Sequence, residues 1–211
     1  MIANIPLQRS LGNHPVGLAG SLAPMFPIGG VAWMLLGTGA SALVCLLLFA
    51  VLRPRVGVVS AAAIAGLCWS VVVIGLVTLL PANGAPGWVP AEGRLETCST
   101  DLGGPAPDGF WIFSGGQRLL NTVIFMPSGA LLVVALARWR SGWALMPLGF
   151  LALSGYAVGI EFTQLALARL DRACDVTDMV DNATGAALGM GIGLVLALLL
   201  RPWRASARVR S

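Results

Sequence analysis

Five long apolar runs follow one another along the chain, separated by segments that carry nearly all of its charges. They cover positions 29–52, 56–80, 119–137, 143–167 and 179–200. Each has the roughly 17–25 residues that a helix needs to cross the hydrocarbon core of a bilayer. The last run begins among polar residues, but no charge interrupts it from Ala183 to Leu200. The pattern predicts an all-α bundle of five transmembrane helices.

Composition supports a membrane protein and excludes two other classes. Of 211 residues, 57% are hydrophobic and 10% are charged, whereas soluble domains have about 25% charged residues. Disorder requires low hydrophobicity together with high net charge, and this chain has neither. The net charge of +4 comes from arginines in short clusters between the apolar runs, so it indicates membrane topology and predicts no nucleic-acid partner.

The arginine clusters predict the orientation of the chain. Short cytoplasmic loops carry an excess of basic residues, and arginines without any acid follow the first, third and fifth runs. Eight of the nine acidic residues fall on the two connections of the opposite side. We therefore expect the N-terminus outside and the C-terminus inside. The arginines concerned are Arg53, Arg55, Arg138, Arg140, Arg201, Arg204, Arg208 and Arg210.

The domain organisation expected from these runs is simple. Positions 1–28 lack the basic start, apolar centre and cleavage site of a secretory signal, and we interpret them as an external lead-in. Positions 29–200 form a single transmembrane domain. Positions 201–211 form a basic cytoplasmic tail.

Glu161 is the only charged residue placed deep within a predicted span. A charge at that depth costs at least about 2.5–3.5 kcal/mol on insertion scales, so it needs a partner or a function. Gln164 lies three residues on and shares its helix face, and Asn121 adds a polar group near the outer end of the third run. The functional interpretation is a substrate or proton site. The structural alternative is a protonated glutamate hydrogen-bonded within the bundle.

The densest polar segment of the chain immediately precedes the fifth run. At helical spacing Asp175, Asp178 and Asn182 share one face. Carboxylates also favour the first turn of a helix, so capping is the alternative for Asp175 and the preferred interpretation for Asp181. Helix initiation explains neither Asn182 nor the intramembrane glutamate.

Small residues indicate where helices approach closely. Gly185, Gly189 and Gly193 form two consecutive Gly-x-x-x-Gly steps, a pattern that brings a neighbouring backbone close in lipid. We assign these glycines, together with Gly129 of the third run, to helix packing.

The four cysteines divide by compartment. Cys45 and Cys68 lie within the first two spans and are expected to be packing residues. Cys98 and Cys174 lie in the two loops placed outside, where the oxidising environment permits a disulfide. The sequence leaves open whether these two are bridged or reduced.

Several kinds of chemistry are missing. The chain has no lysine, which excludes a P-loop or a Schiff-base lysine, and its single histidine, His14, excludes a histidine-pair metal site. Carboxylate oxygens of Glu161, Asp175 and Asp178 suit a hard cation, but their spacing supports this weakly. We expect neither a metal nor a cofactor.

The polar residues together form a recognisable series, and with it the chain resembles the VanZ-like membrane proteins of bacteria, best over positions 117–195. The resemblance implies a multi-pass protein of the cytoplasmic membrane. The founding member is linked to low-level resistance to the glycopeptide teicoplanin. The matching residues are Asn121; Phe125, Pro127 and Gly129; Glu161 and Gln164; and Arg172, Asp175, Asp178, Asn182, Gly185 and Gly189.

The leading hypothesis is an outward-facing polar pocket that binds a membrane lipid head group or a lipid-linked cell-wall precursor. Arg172 would pair with a phosphate or with Asp175, and Glu161 would orient the bound group or exchange a proton with it. The expected lining is Asn121, Glu161, Gln164, Arg172, Asp175, Asp178 and Asn182.

Three alternatives stay open. A membrane enzyme, such as a transferase acting on a lipid-linked substrate, would use Glu161 or Asp178 as a base and would form product in detergent. A purely structural or partner-binding bundle would tolerate Glu161→Gln without any phenotype. Ion-coupled transport is less attractive for five spans without oligomerisation.

Overall fold

A computed structural model describes residues 29–80, 97–100, 116–167 and 174–203. These residues form five helices and, apart from one isolated bridge, no β-structure. All five are long and apolar enough to cross a membrane. The prediction of an all-α bundle with five spans is therefore confirmed. The helices are α1 (Val31–Val56), α2 (Val58–Leu79), α3 (Gly116–Leu136), α4 (Gly142–Leu167) and α5 (Val176–Leu200).

Three helix boundaries differ by three residues or more from those expected from hydropathy. Helix α3 begins at Gly116 rather than at position 119. Helix α1 continues past position 52 through Pro54, so Arg53 and Arg55 lie in its last turn rather than in a connecting loop. Helix α5 begins three residues before position 179, because the carboxylate of Asp175 caps its first turn and accepts the N–H of Thr177 at 2.8 Å. A hydropathy pattern does not include polar first and last turns in a predicted span. Such turns are nevertheless helical, because charged side chains at helix ends reach water or bond backbone groups.

Short connections make α1 antiparallel to α2, and α3 antiparallel to α4. Gly57 alone separates α1 from α2, and its φ of 77° is a conformation that side chains other than glycine rarely adopt. The bundle thus has two distinct ends. We call one the arginine end, where five arginines lie: Arg53, Arg55, Arg138, Arg140 and Arg201. We call the other the disulfide end, where Cys98 is bonded to Cys174.

Helices α3 and α5 share the largest interface of the bundle. Four glycines lie on it, and each faces a backbone carbonyl of the other helix so closely that a Cβ atom would lie within 2.5 Å of that oxygen. Such contact is available only to glycine, and in lipid it supplies van der Waals packing that replaces the hydrophobic effect. The facing pairs are Gly185 with Thr122, Gly189 with Met126, Gly193 with Ala130, and Gly129 with Ala186.

An apolar cluster joins α2, α3, α4 and α5 near the middle of the bundle. The rings of Phe125 and Tyr156 lie 6.3 Å apart, centroid to centroid. The Tyr156 hydroxyl donates to the carbonyl of Val71 at 2.8 Å, which satisfies the only polar atom of that side chain. The buried members of this apolar cluster are Ile74, Phe125, Leu132, Leu153, Ala157, Ile160 and Ala186.

Helix α1 lies at the periphery. It packs against α2, where the indole N–H of Trp69 donates to the carbonyl of Thr38 at 3.1 Å. No residue of α1 is buried within the chain, so its apolar side chains face outward. The bundle that surrounds the apolar cluster therefore consists of α2 to α5.

The orientation of the bundle remains a prediction that reporter fusions test. A reporter active only outside the cytoplasmic membrane should be silent when fused after position 211, because the arginine end is expected inside. The same reporter fused after position 170, beyond α4, should be active and serves as the control. The opposite pattern would reverse the predicted topology.

A second prediction concerns the α3–α5 interface. Gly185→Ala should destabilise the protein by about 1–3 kcal/mol, because a Cβ would overlap the Thr122 carbonyl and the two helices would have to move apart. Unfolding in a denaturing detergent titration measures the change. Gly191→Ala is the matched control on the same helix, since its Cβ meets nothing within 4 Å. Equal effects of the two substitutions would contradict the interpretation of the interface.

Candidate functional site

A polar layer lies one helical turn beyond the apolar cluster, toward the disulfide end. On each of α2 to α5, a polar residue lies four positions from a residue of the apolar cluster, on the side of the disulfide end. The pairs are Ile74 with Thr78, Phe125 with Asn121, Ile160 with Gln164, and Ala186 with Asn182. Four residues are close to one turn of about 5.4 Å. Glu161 adjoins Ile160 and is 3% exposed. We define the polar layer as Thr78, Asn121, Glu161, Gln164 and Asn182.

Glu161 links α4 to the beginning of α5. Its Oε2 accepts the backbone N–H of Asp175 at 3.2 Å. Asp175 is the N-cap of α5, so the carboxylate lies at the positive end of that helix dipole. The buried carboxyl of Glu161, near the disulfide end of α4, thus has a hydrogen-bond donor and a favourable electrostatic field from the chain itself.

Gln164 is directed to a different helix. Its Nε2 donates to the carbonyl of Thr78 at 3.0 Å, which ties α4 to α2. That carbonyl lies in the last turn of α2, where helical backbone acceptors have no partner within the helix. The structure therefore pairs Gln164 with α2. The sequence pattern predicts Gln164 in one pocket with the polar residues of α5.

Asp181 forms a buried ion pair that the sequence analysis missed. Arg118 on α3 donates its Nε to Oδ2 of Asp181 at 2.8 Å and its Nη2 to Oδ1 at 2.9 Å. The side chain of Asp181 is fully buried and that of Arg118 is 13% exposed. Bidentate contacts of this kind are strong and directional.

The assignment of Asp181 to helix initiation is therefore wrong. Because α5 begins at Val176, its first turn contains Asp178, and Asp181 lies in the second turn. Glu161 is likewise not the only ionisable group buried within a span. Arg118 itself could have indicated the ion pair. It is an arginine on the acid-rich side of the chain, at the start of one span, and Asp181 lies at the start of another span that begins on the same side.

The remaining predicted lining residues have different environments. Asn182 is 4% exposed, and Asp178, one turn before it on α5, is half-buried. The Nδ2 atom of Asn121 is buried and has no hydrogen-bond partner among the described residues. A buried donor left unpaired costs about 1–3 kcal/mol, which a bound acceptor would recover. Arg172 lies outside the described residues.

Residues 97–100 lie at the disulfide end, and we call them the external segment because this end is expected outside the membrane. Cys98 and Cys174 are bonded, with Cα atoms 4.6 Å apart. Ser99 donates its N–H to the carbonyl of Cys174 at 2.8 Å and accepts the N–H of Val176 at 3.0 Å. The structure thus contains the bridge that the sequence left open. Cys45 and Cys68 are free thiols.

The arrangement is suited to binding through hydrogen bonds. Within the described residues, no group of three or more His, Cys, Asp or Glu side chains is placed to hold a metal ion. Asp175 caps α5, Asp181 pairs with Arg118, and Glu161 accepts an N–H. The polar layer consequently offers amide and carboxylate groups in a low-dielectric environment, where each hydrogen bond is stronger than in water.

A family model described as VanZ/LLP1 matches residues 71–199, which is more than half of the chain. The chain belongs to the VanZ/LLP1 family. The match runs from α2 to the end of α5 and includes the polar layer, the ion pair and the α3–α5 interface, whereas α1 precedes it. Comparison with curated proteins and with solved structures gave no match. The resemblance stated from the motifs is confirmed at the level of the family.

The ion pair of this VanZ/LLP1 protein gives a third prediction. Asp181→Ala should destabilise the protein by about 3–5 kcal/mol, because it leaves the Arg118 guanidinium without its partner in a largely buried position. Detergent-denaturation midpoints measure the loss. The double substitution Arg118→Leu with Asp181→Leu should recover most of the stability, since apolar side chains can replace a buried pair. A double variant as unstable as the single one would contradict this account.

Proposed function

We propose that this protein is a multi-pass protein of the bacterial cytoplasmic membrane that binds the polar head group of a membrane lipid or of a lipid-linked cell-wall precursor. The polar layer is the proposed binding site, entered from the outer side. The observation that carries the proposal is a set of buried and half-buried polar side chains lying directly beyond an apolar cluster, inside a bundle whose outer surface is largely apolar.

An amphiphilic ligand fits this arrangement better than a soluble one. Phe162, next to Glu161 on α4, is 55% exposed and directed away from the bundle interior. A lipid whose head group reached the polar layer would keep its acyl chains against such outward-facing side chains. Polar groups buried in membrane helices usually face a cavity or a functional pathway, because lipid offers them no hydrogen bonds.

Two features support an outward-facing site. The disulfide end carries Cys98–Cys174, and disulfides persist in oxidising compartments outside the cytoplasm. The opposite end carries five arginines and, among the described residues, no acidic side chain. Both features favour placing the polar layer in the outer half of the membrane.

Individual residues have distinct proposed roles. The Nδ2 of Asn121, which has no partner in the part of the chain that the structure describes, donates to an oxygen of the head group. Glu161 and Asp178 accept from hydroxyl or amino groups of the ligand, and Asn182 can donate and accept. Arg172 pairs with a phosphate of the ligand. Binding of a lipid-linked wall precursor would also connect the protein with the glycopeptide resistance of the family's founding member, and a link to such resistance is part of the proposed function.

Native mass spectrometry of the purified protein tests the binding. Wild-type protein should retain a lipid of defined mass. Glu161→Gln should lower its occupancy by about tenfold or more, as expected for the loss of a hydrogen bond to a charged group. Leu148→Ala is the control on the same helix, because this side chain is 61% exposed and lies near the arginine end of α4, far from the polar layer. The proposal fails if no lipid is retained, or if both variants retain it like the wild type.

A further inference from the structure

A continuous chain of contacts runs from the external segment to the intramembrane glutamate. Cys98 is bonded to Cys174, Cys174 is followed directly by Asp175, and the N–H of Asp175 donates to Oε2 of Glu161 at 3.2 Å. Only one residue therefore separates the disulfide from the buried carboxyl. The mechanism of the proposed site makes no use of this disulfide.

The geometry of the external segment determines the direction of that N–H. Ser99 and Asp175 form a parallel bridge in which Ser99 bonds the carbonyl before Asp175, at 2.8 Å, and the N–H after it, at 3.0 Å. In such a bridge, the central residue's own N–H and C=O point away from the partner strand. The N–H of Asp175 is thus directed away from Ser99 and toward α4.

We propose that the Cys98–Cys174 disulfide is a positioning element for Glu161: it holds the Asp175 amide against the carboxyl group and so fixes that group within the polar layer. Residues 97–100 are held on α5 by the disulfide and the two backbone hydrogen bonds at Ser99. Without the covalent bond, only non-covalent contacts hold this short segment, and local opening of a short segment costs much less free energy than global unfolding. The consequence for ligand binding rests on the proposed function, but the positioning of Glu161 does not.

Reduction of the disulfide by a dithiol releases the Asp175 amide from its position against Glu161. A thiolate of the reductant attacks Sγ of Cys98, which is half-buried, whereas Cys174 is fully buried. The S–S bond breaks, and Cys174 leaves as a thiolate. The second thiol of the reductant attacks the mixed disulfide and releases Cys98. The two cysteines gain two electrons and two protons, and the dithiol is oxidised to its disulfide.

Reduction-induced infrared difference spectroscopy of the full-length protein, with dithiothreitol as the dithiol, tests the proposal without any ligand. A changed hydrogen bond at Glu161 should appear as a carboxyl difference band, and Glu161→Gln should remove that band. A purely structural staple would produce backbone bands but no band that depends on Glu161. Such a spectrum would overturn the proposal.

Two cysteine variants complete the test. Cys45→Ser with Cys68→Ser removes only free thiols and should leave the difference band unchanged. Cys98→Ser with Cys174→Ser should show no reduction-induced band, and its resting spectrum should match that of the reduced wild type. The resting spectrum of this variant should also differ from that of the oxidised wild type in the Glu161 carboxyl band, and this second comparison decides the matter if dithiothreitol does not reach the disulfide. Identical resting spectra would overturn the proposal.

Hydrogen exchange supplies an independent readout. The amides of Asp175 and Val176 should exchange about tenfold faster, or more, in the reduced protein, as expected when a local segment opens. Unchanged exchange at Asp175 together with an unchanged Glu161 band would overturn the proposal. Lipid occupancy measured on the same samples separates the two ideas, because the band can change whether or not a lipid is bound.

Discussion

Direct backbone contact between α3 and α5 is the constraint on which the rest of the structure depends. Helices surrounded by lipid gain little from burying apolar side chains against each other, so close van der Waals contact must hold them together. Four glycines allow carbonyl oxygens of the facing helix to approach to distances that no Cβ would permit. This contact fixes the axial position of α5 against α3. It thereby aligns Arg118 with Asp181 at the disulfide end, where a bidentate ion pair closes the same interface.

The layered interior follows from that alignment. The apolar cluster of Phe125, Ile160 and their neighbours fills the middle of the bundle, and the polar layer lies one turn beyond it. Polar groups at this depth must be satisfied within the protein, since lipid offers no hydrogen bonds. Gln164 and Glu161 meet this requirement through backbone groups at the end of α2 and the beginning of α5. The buried Nδ2 atom of Asn121 differs from them, because it has no hydrogen-bond partner within residues 29–80, 97–100, 116–167 and 174–203.

Helices α2 to α5 and the external segment form one connected structural unit. The family match covers most of these elements and begins after α1, which has no buried residue and packs mainly against α2. The external segment belongs to the same unit, because the bond between Cys98 and Cys174 places a loop residue next to the N-cap of α5. A single peptide group, the one that carries the N–H of Asp175, thus connects the disulfide with the buried carboxyl of Glu161.

The sequence by itself determined the number of spans, the all-α fold, the family and most residues of the polar layer. Apolar length and intramembrane polarity are properties of local sequence, and Glu161 and Asn182 stand out against their apolar surroundings without any knowledge of contacts. Only the tertiary structure decided the partners. Arg118 and Asp181 lie 63 positions apart, and Gln164 and Thr78 lie 86 apart. The rotation and axial shift of the helices decide which polar groups meet across such separations. The glycine contacts between α3 and α5 set the rotation and shift of these two helices, and the local sequence around each residue does not specify those contacts.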